Sequence, residues 1–487
     1  MRDMVVLINL DGVACRSMAR KLRAEHIYCK IMPQNATAED VTGQDALGIL
    51  LAGGSTGEPV EIPHLAQLLE AGLPMLAMGD AALTLCQALG GEIHVPQEET
   101  AHVLPVYFTK DPLVEGVENG ERYFHALRTM SLPEGLRTMA DSSIGALGFR
   151  MEERSVYGLG FQVEQNDTDG MQLLINFCQR ICGCTLWWSD LAFIDRAQEE
   201  IARVAEGGSA ICALSGGVDS GVCALLGHKA LGHRLHCIFI DNGLLRKNEG
   251  DRVEAFFRDQ AGLNFKRINA GETFIEALRG VKSQQEKENI IFSLLTQLFQ
   301  QEVDRLPDVH IMLQGTNYSD TMEQSGKTDT LHGLRLVEPV CELFKDEIRR
   351  VGEELELPAS IINRQPFPGS GLALRVLGEV TPERLDMLRE ADAIFRSALE
   401  ESGQSKRLWQ YFATLAPNPA DEEDAPGSYI VTLRAVQAVD GAAAMPARLP
   451  NDLLERISEE ILANVPGVRR VLYDLTPSHN YAHVDWR

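Results

Sequence analysis

The stretch that most constrains this chain is "ICALSGGVDSGVCALLGHKALG", residues 211–232. An apolar run stops at Leu214, turns through Ser215, Gly216, Gly217, Val218, Asp219 and Ser220, and resumes as helix-like sequence from Gly221. The run "RLHCIFID" follows, so strand, helix and strand succeed one another as a βαβ unit of a parallel sheet. Such a turn aims backbone N–H groups and a helix N-terminus at one point, which is an anion site. Glycine at 216 and 217 allows positive φ and lets a ligand approach without a Cβ in the way. The Ser215 and Ser220 hydroxyls add donors. Asp219 is out of place beside phosphate unless a cation intervenes, which points to Mg²⁺ bridging the phosphates. The same residues would also make an ordinary βα turn capped by Ser and Asp.

Strand-like runs "MVVLINL" (4–10) and "ALGILLAGG" (46–54) alternate with amphipathic stretches, an α/β pattern. "LLINFCQRICG" (173–183) reads as the last helix of a first unit, and "DLAFIDRAQEEIARVAE" (190–206) as the first helix of a second. Character changes after 377–388. The loop 416–428 then separates helices from strands "YIVTLRAV" and "VRRVLYDL", a smaller α+β part. At 487 residues, about three domains are expected.

Lys and Arg number 45 against 70 Asp and Glu, a net charge of −25. That balance disfavours a phosphodiester backbone as the main partner, so no nucleic acid is expected, although a local basic pocket remains compatible with it. No apolar run reaches the roughly 20 residues that span a bilayer, and the N-terminus lacks the pattern of a signal peptide. The ten cysteines are scattered. Cys178, Cys182 and Cys184 lack a second ligand group at zinc-like spacing, and the expectation is a cytoplasmic protein with reduced thiols.

SGGVDS resembles the PP-loop of the ATP pyrophosphatases, which cleave ATP to AMP and pyrophosphate while adenylating a carbonyl oxygen. With "FIDNGLLRKNE" (239–249), "LQGTNYSD" (313–320), "LVEPVCELFKDEIRRVG" (336–352), "PFPGSGLALRVLGEV" (366–380), "VLYDL" and a closing "VDW", the whole chain resembles GMP synthetase. The resemblance implies a class I glutamine amidotransferase-like α/β domain at 1–185. It implies a doubly wound parallel-sheet ATP pyrophosphatase domain at 186–378 and an α+β dimerisation domain at 379–487, hence a homodimer. It places ATP on Ser215 through Ser220, Ile240, Asp241, Gln314, Gly315, Thr316 and Asp320, with Mg²⁺ on Asp219. Asp219, Lys345 and Arg375 become the catalytic set, the two cations offsetting phosphate charge. Ile240 would pack on adenine.

The departures from the family are as informative. Class I amidotransferases need a cysteine on a strand–helix elbow and a His–Glu pair. Register with "G-x-C-x-G" puts Gly79 at the nucleophile position, and Cys86 falls inside the following helix. The His-Pro-Glu segment corresponds to Gln162, Val163 and Glu164, and the glutamine-site segment keeps only His125 in "FHAL". The first domain is therefore expected not to hydrolyse glutamine. At the acceptor end, the lid between Asp320 and Val337 is shortened and "VGVMGDxR" gives way to acidic "NPADEEDAPG" (418–427). His479 and Arg487 replace a lysine and a glutamate, and "HPFPGPGL" becomes "QPFPGSGL".

The resemblance, with these departures, implies an ATP-dependent, AMP-forming ligase that adenylates a carbonyl oxygen of a small purine-type acceptor and aminates it with ammonia or an amine. The acceptor is either xanthosine monophosphate or a heterocycle without phosphate. Acidic residues in place of Lys and Arg would repel a dianion and favour the second. The alternative is a catalytically inactive nucleotide-binding regulator or scaffold.

Overall fold

A computed structural model describes residues 3–54, 56–96, 103–124, 126–163, 167–323, 330–419, 427–439 and 443–477. The chain divides into two compact units, Met1–Phe193 and Ile194–Arg487.

In the first unit the run Met4–Asn9 is buried along almost its whole length, as a strand covered on both faces must be. It lies in a parallel array ordered Cys29–Pro33, Met4–Asn9, Ala46–Ala52, Met75–Met78, Val156–Leu159. Antiparallel strands Gly145–Met151 and Leu136–Ser142 extend it. The region read from sequence as one closing helix is in fact two. An α-helix Asp167–Ile175 passes into a π-helix Asn176–Ile181, with the Cys182 N–H reaching the Phe177 carbonyl at 2.9 Å. The widened turn carries fully buried Asn176, whose amide donates to the carbonyls of Leu113 (2.9 Å) and Glu115 (2.8 Å). A side-chain tie of that kind leaves no mark on hydrophobic periodicity.

The second unit holds two sheets. The first has five parallel strands in the order Phe265–Asn269, Leu235–Asp241, Ser209–Leu214, Val309–Leu313, Leu334–Val337. The chain builds outward from Ser209–Leu214 in one direction, then returns to place Val309–Leu313 on its other side. The loops leaving those two neighbours diverge, and their carboxyl ends form the crevice where doubly wound sheets bind ligands. Helix Val218–Leu231 follows Ser209–Leu214 and is buried through most of its length.

The second sheet centres on Tyr429–Val439. It pairs antiparallel with Gln410–Pro417 and Ala443–Pro446 and parallel with Val468–Tyr473. Helices Pro382–Glu401 and Asn451–Asn464 cover it through Leu385, Phe395, Ile457 and Ile461. The same core takes in Leu244, Phe274 and Leu372, so the two sheets of this unit share apolar packing. No helix among the described residues is long and apolar enough to cross a membrane.

Lys287 lies in this shared core on helix Gln284–Asp304, with no exposed surface. Its Nζ donates to the carbonyls of Ala373 (3.2 Å) and Val376 (2.7 Å), at the end of the 3₁₀ turn Gly371–Arg375. Those carbonyls would otherwise lie buried without a donor. Burial lowers the lysine from its ordinary 10.5 to about 8. Between those values the unfolded chain holds a proton that the folded chain has released, so this residue makes stability rise with pH there. Urea unfolding on either side of about pH 9 is expected to show that rise in the wild type and to lose it in Lys287→Met.

Candidate functional site

Leu214 ends its strand, and the loop beyond it closes on itself. The Ser215 N–H donates to Ser220 Oγ at 3.2 Å, and the two serine hydroxyls lie 3.0 Å apart. The Gly217 N–H donates to Ser215 Oγ at 3.3 Å, and Ser220 Oγ donates to the Gly217 carbonyl at 3.2 Å. Gly216 has φ +73°, open to glycine without strain. The hydroxyls read from sequence as ligand donors therefore also build the loop. Gly217 caps helix Val218–Leu231 without a side chain, which leaves the N–H groups of its first turn for an anion.

Asp219 stands in that first turn. Its Oδ2 accepts from Lys345 Nζ, while its Oδ1 is buried without a hydrogen-bond partner. Lys345 opens helix Lys345–Glu354. Gly315 presses against the same turn: a Cβ there would lie 2.7 Å from both the Asp219 carbonyl carbon and the Ser220 nitrogen. Only glycine lets the segment after Val309–Leu313 run this close.

Around it, the Gln314 N–H donates to the Val337 carbonyl at 3.0 Å, and its Oε1 is buried without a hydrogen-bond partner. Thr316 Oγ1 donates to Glu338. Asp320 Oδ2 accepts the Asn317 N–H at 3.1 Å and so holds the start of helix Tyr318–Glu323. At the end of Leu235–Asp241, Ile240 is half-buried against the core. Asp241 pairs with Arg267 at 2.5 Å and accepts the Gly243 N–H at 3.0 Å. Arg267 also reaches Asp251 (2.8 Å) and Glu254 (2.9 Å), which raises its already high pKa.

Residues 215–220, Gly315 and Lys345 thus meet directly, and the remaining nucleotide-site candidates stand at the ends of the two flanking strands. Arg375 stands apart. It is 4% exposed, with its guanidinium over Phe412 (4.3 Å) and Phe367 (5.1 Å) and 3.6 Å from Asp392. Burial lowers it to about 10.

The sequence reading missed a cleft of about 1290 Å³ that has Gly216 in its wall. Arg246, Lys247, Arg252, Arg349, Arg364, Arg389, Arg396 and Lys406 line it against Glu249, Asp392 and Glu400. In a chain of net charge −25, eight cations facing three carboxylates make a local cationic pocket. Arg364 donates to the Ser215 carbonyl at 3.4 Å and pairs with Glu249 at 2.7 Å. Arg246 lies 4.3 Å over Phe367, with Nε and Nη2 lacking hydrogen-bond partners and Nε 3.7 Å from Asp392, and burial lowers it to about 9. Arg246 lies inside the matched block 239–249 and Arg364 just before the block 366–380; only folding shows that they share a wall. Asn418 and Pro419, which begin the acidic stretch, are not among the lining residues.

In the first unit, Gly79 joins strand Met75–Met78 to helix Asp80–Ala88 at φ +58°, ψ −133°. This is a sharp strand–helix elbow with no side chain on it. A Cβ would lie 2.8 Å from the Gly54 carbonyl and 3.0 Å from Gln162 Nε2, which itself donates to Gly54 O at 2.9 Å. Buried Asp80 accepts from the Thr56 N–H (2.7 Å), Thr56 Oγ1 (2.9 Å) and the Gly57 N–H (2.9 Å). Cys86 is fully buried, its thiol pushed up to about 11 by burial, so it is a core side chain. His125, Glu164, residues 420–426, His479 and Arg487 lie outside the described residues.

Residues 397–486 match the family described as GMP synthase C terminal domain. The chain is 38% identical over 512 residues to the GMP synthase [glutamine-hydrolyzing] of Caldicellulosiruptor saccharolyticus, covering 99% of both. It is 35% identical over 509 residues to that of Clostridium novyi, covering 100% of this chain and 99% of the relative. With the Clostridium perfringens protein the identity is 36% over 510 residues and the whole of both. This chain belongs to the GMP synthase family.

In this member of the GMP synthase family the elbow at Gly79 carries no side chain. Gly79→Cys is expected to yield no glutamine hydrolysis in a glutaminase assay, because Gln162 has no basic nitrogen to take the thiol proton. Its crowded Cβ should also lower stability by about 1–3 kcal/mol in thermal melts.

Proposed function

We propose that this chain is a GMP synthase-like, AMP-forming carbon–nitrogen ligase that takes ammonia or an amine directly. The division is 1–185 as an inactive amidotransferase-like domain, 186–378 as the ATP pyrophosphatase domain and 379–487 as the dimerisation domain of a cytoplasmic homodimer. The carrying observation is the uncapped first turn of helix Val218–Leu231, with Asp219 and Lys345 joined beside it at the sheet's switch point.

In this reading the first-turn N–H groups and Gly216–Gly217 hold the ATP phosphates. The acceptor's carbonyl oxygen attacks the α-phosphorus, and the bond to the β-phosphate breaks to release pyrophosphate. An amine then adds at the adenylated carbon, and AMP leaves with the oxygen. Lys345 leaves Asp219 to offset charge on the phosphates. Asp219 fits a divalent cation, because its Oδ1 is buried and lacks a hydrogen-bond partner. Mg²⁺ there would neutralise charge on the pyrophosphate. Arg375 acts through Phe367 and Asp392, as a support of the cleft wall.

The cationic cleft supports an acceptor that carries phosphate. The acidic stretch 418–427 argued the other way from sequence, but among the charged residues that line the cleft beside Gly216 arginine and lysine outnumber carboxylates eight to three. Xanthosine monophosphate therefore becomes the first acceptor to try. The missing nucleophile at Gly79 supports ammonia over glutamine as the nitrogen source.

Pyrophosphate release from Mg-ATP tests this. Xanthosine monophosphate with ammonium is expected to stimulate it; glutamine in place of ammonium, or xanthosine in place of the monophosphate, is not. Lys345→Met should lower the rate about 100-fold. If no acceptor stimulates release, the inactive nucleotide-binding regulator is the better reading.

A further inference from the structure

Lys345 sits at the wrong end of its helix. It is the first residue of Lys345–Glu354, where the helix dipole disfavours a cation. The carboxylates on its own element are engaged elsewhere: Glu347 Oε2 accepts the Phe344 N–H at 2.9 Å, and Asp346 lies 3.7 Å from Arg350. Lys345 is held by Asp219, which belongs to a different helix and lies more than a hundred residues earlier. The pair is partly shielded, the side chains being 38% and 21% exposed. Asp219 keeps a second oxygen, Oδ1, buried and without a hydrogen-bond partner. One carboxylate thus faces two claims: an ammonium bound to one oxygen, and an unused oxygen suited to a divalent cation.

We propose that Lys345 is a tethered counter-ion that occupies Asp219 until nucleotide arrives, so that divalent metal and nucleotide bind with positive cooperativity. This rests on the reading of Asp219 as the metal-holding residue. In the nucleotide-free protein a metal ion approaching Asp219 meets the Lys345 charge and binds weakly. A triphosphate seated on the first turn of helix Val218–Leu231 carries more negative charge than one carboxylate. It draws the ammonium across and leaves both Asp219 oxygens to the metal. By linkage, each ligand then strengthens the other's binding by the same factor. The site is closed to free metal and opened by the nucleotide.

Direct Mn²⁺ binding to the nucleotide-free full chain, measured by electron paramagnetic resonance, tests this without relying on turnover. Lys345→Met is expected to tighten Mn²⁺ binding about tenfold, and Lys345→Arg, which keeps the cation, to leave it weak. Adding Asp219→Asn to Lys345→Met should abolish the gain. Circular dichroism establishes that each variant is folded, and Lys345→Gln serves if the methionine variant is not. If Lys345→Met and Lys345→Gln leave Mn²⁺ affinity unchanged while Asp219→Asn removes Mn²⁺ binding in the presence of nucleotide, the counter-ion proposal is overturned and the metal role of Asp219 stands. Mn²⁺ binding indifferent to Asp219→Asn in every background overturns both.

Discussion

The contact on which the second unit's site depends is backbone against backbone: Gly315 packed on the first turn of helix Val218–Leu231. Two neighbouring parallel strands send their chains in opposite directions at this point, and one of those chains must run beneath a helix N-terminus. A side chain at 315 would push the turn away from its strand. Because it is glycine, the uncapped N–H groups, Asp219 and Lys345 converge at the head of the sheet. The serine hydroxyls then lock the loop from inside. Phosphate chemistry in the proposed reading is an outcome of this geometry rather than of any single residue.

Charge is arranged against the average. The chain is strongly acidic, yet the cleft at Gly216 gathers guanidinium groups from segments far apart in sequence. Phe367 takes Arg246, Arg364 and Arg375 over its ring within 5.2 Å, and Asp392 lies between Arg246 (3.7 Å) and Arg375 (3.6 Å). Burial and mutual repulsion lower the pKa of Arg246 and Arg375, while Asp392 opposes the shift in both. The first unit shows the opposite case. Its elbow keeps a demanding backbone at Gly79, but Gln162 and Asp80 use hydrogen bonds to hold the surrounding loops.

Much was legible before folding. The strands at 4–10, 46–54 and 209–214 and the turn at 215–220 are local patterns, and local patterns show in sequence. The π-helix at Asn176–Ile181 was not legible, because its correlate is a buried amide reaching carbonyls some sixty residues away. Arg375 was read as a phosphate partner from its place in a matched block, whereas packing turns it between two aromatic rings. The acidic run at 418–427 was read as setting the acceptor's charge environment; its residues 420–426 lie outside the described residues, while the described charged lining of the cleft is mostly basic.

By itself, the sequence determined that a strand, a glycine-rich turn and a helix would form a βα junction, since those preferences are properties of neighbouring residues. It also determined that no side chain stands at position 79, between strand Met75–Met78 and helix Asp80–Ala88. Tertiary structure alone decided that Lys345 would meet Asp219, that Gly315 would close on the same turn, and that an acidic chain would hold a cationic cleft. Each of those depends on distances between residues far apart in the chain, and only the packing of the sheet sets them.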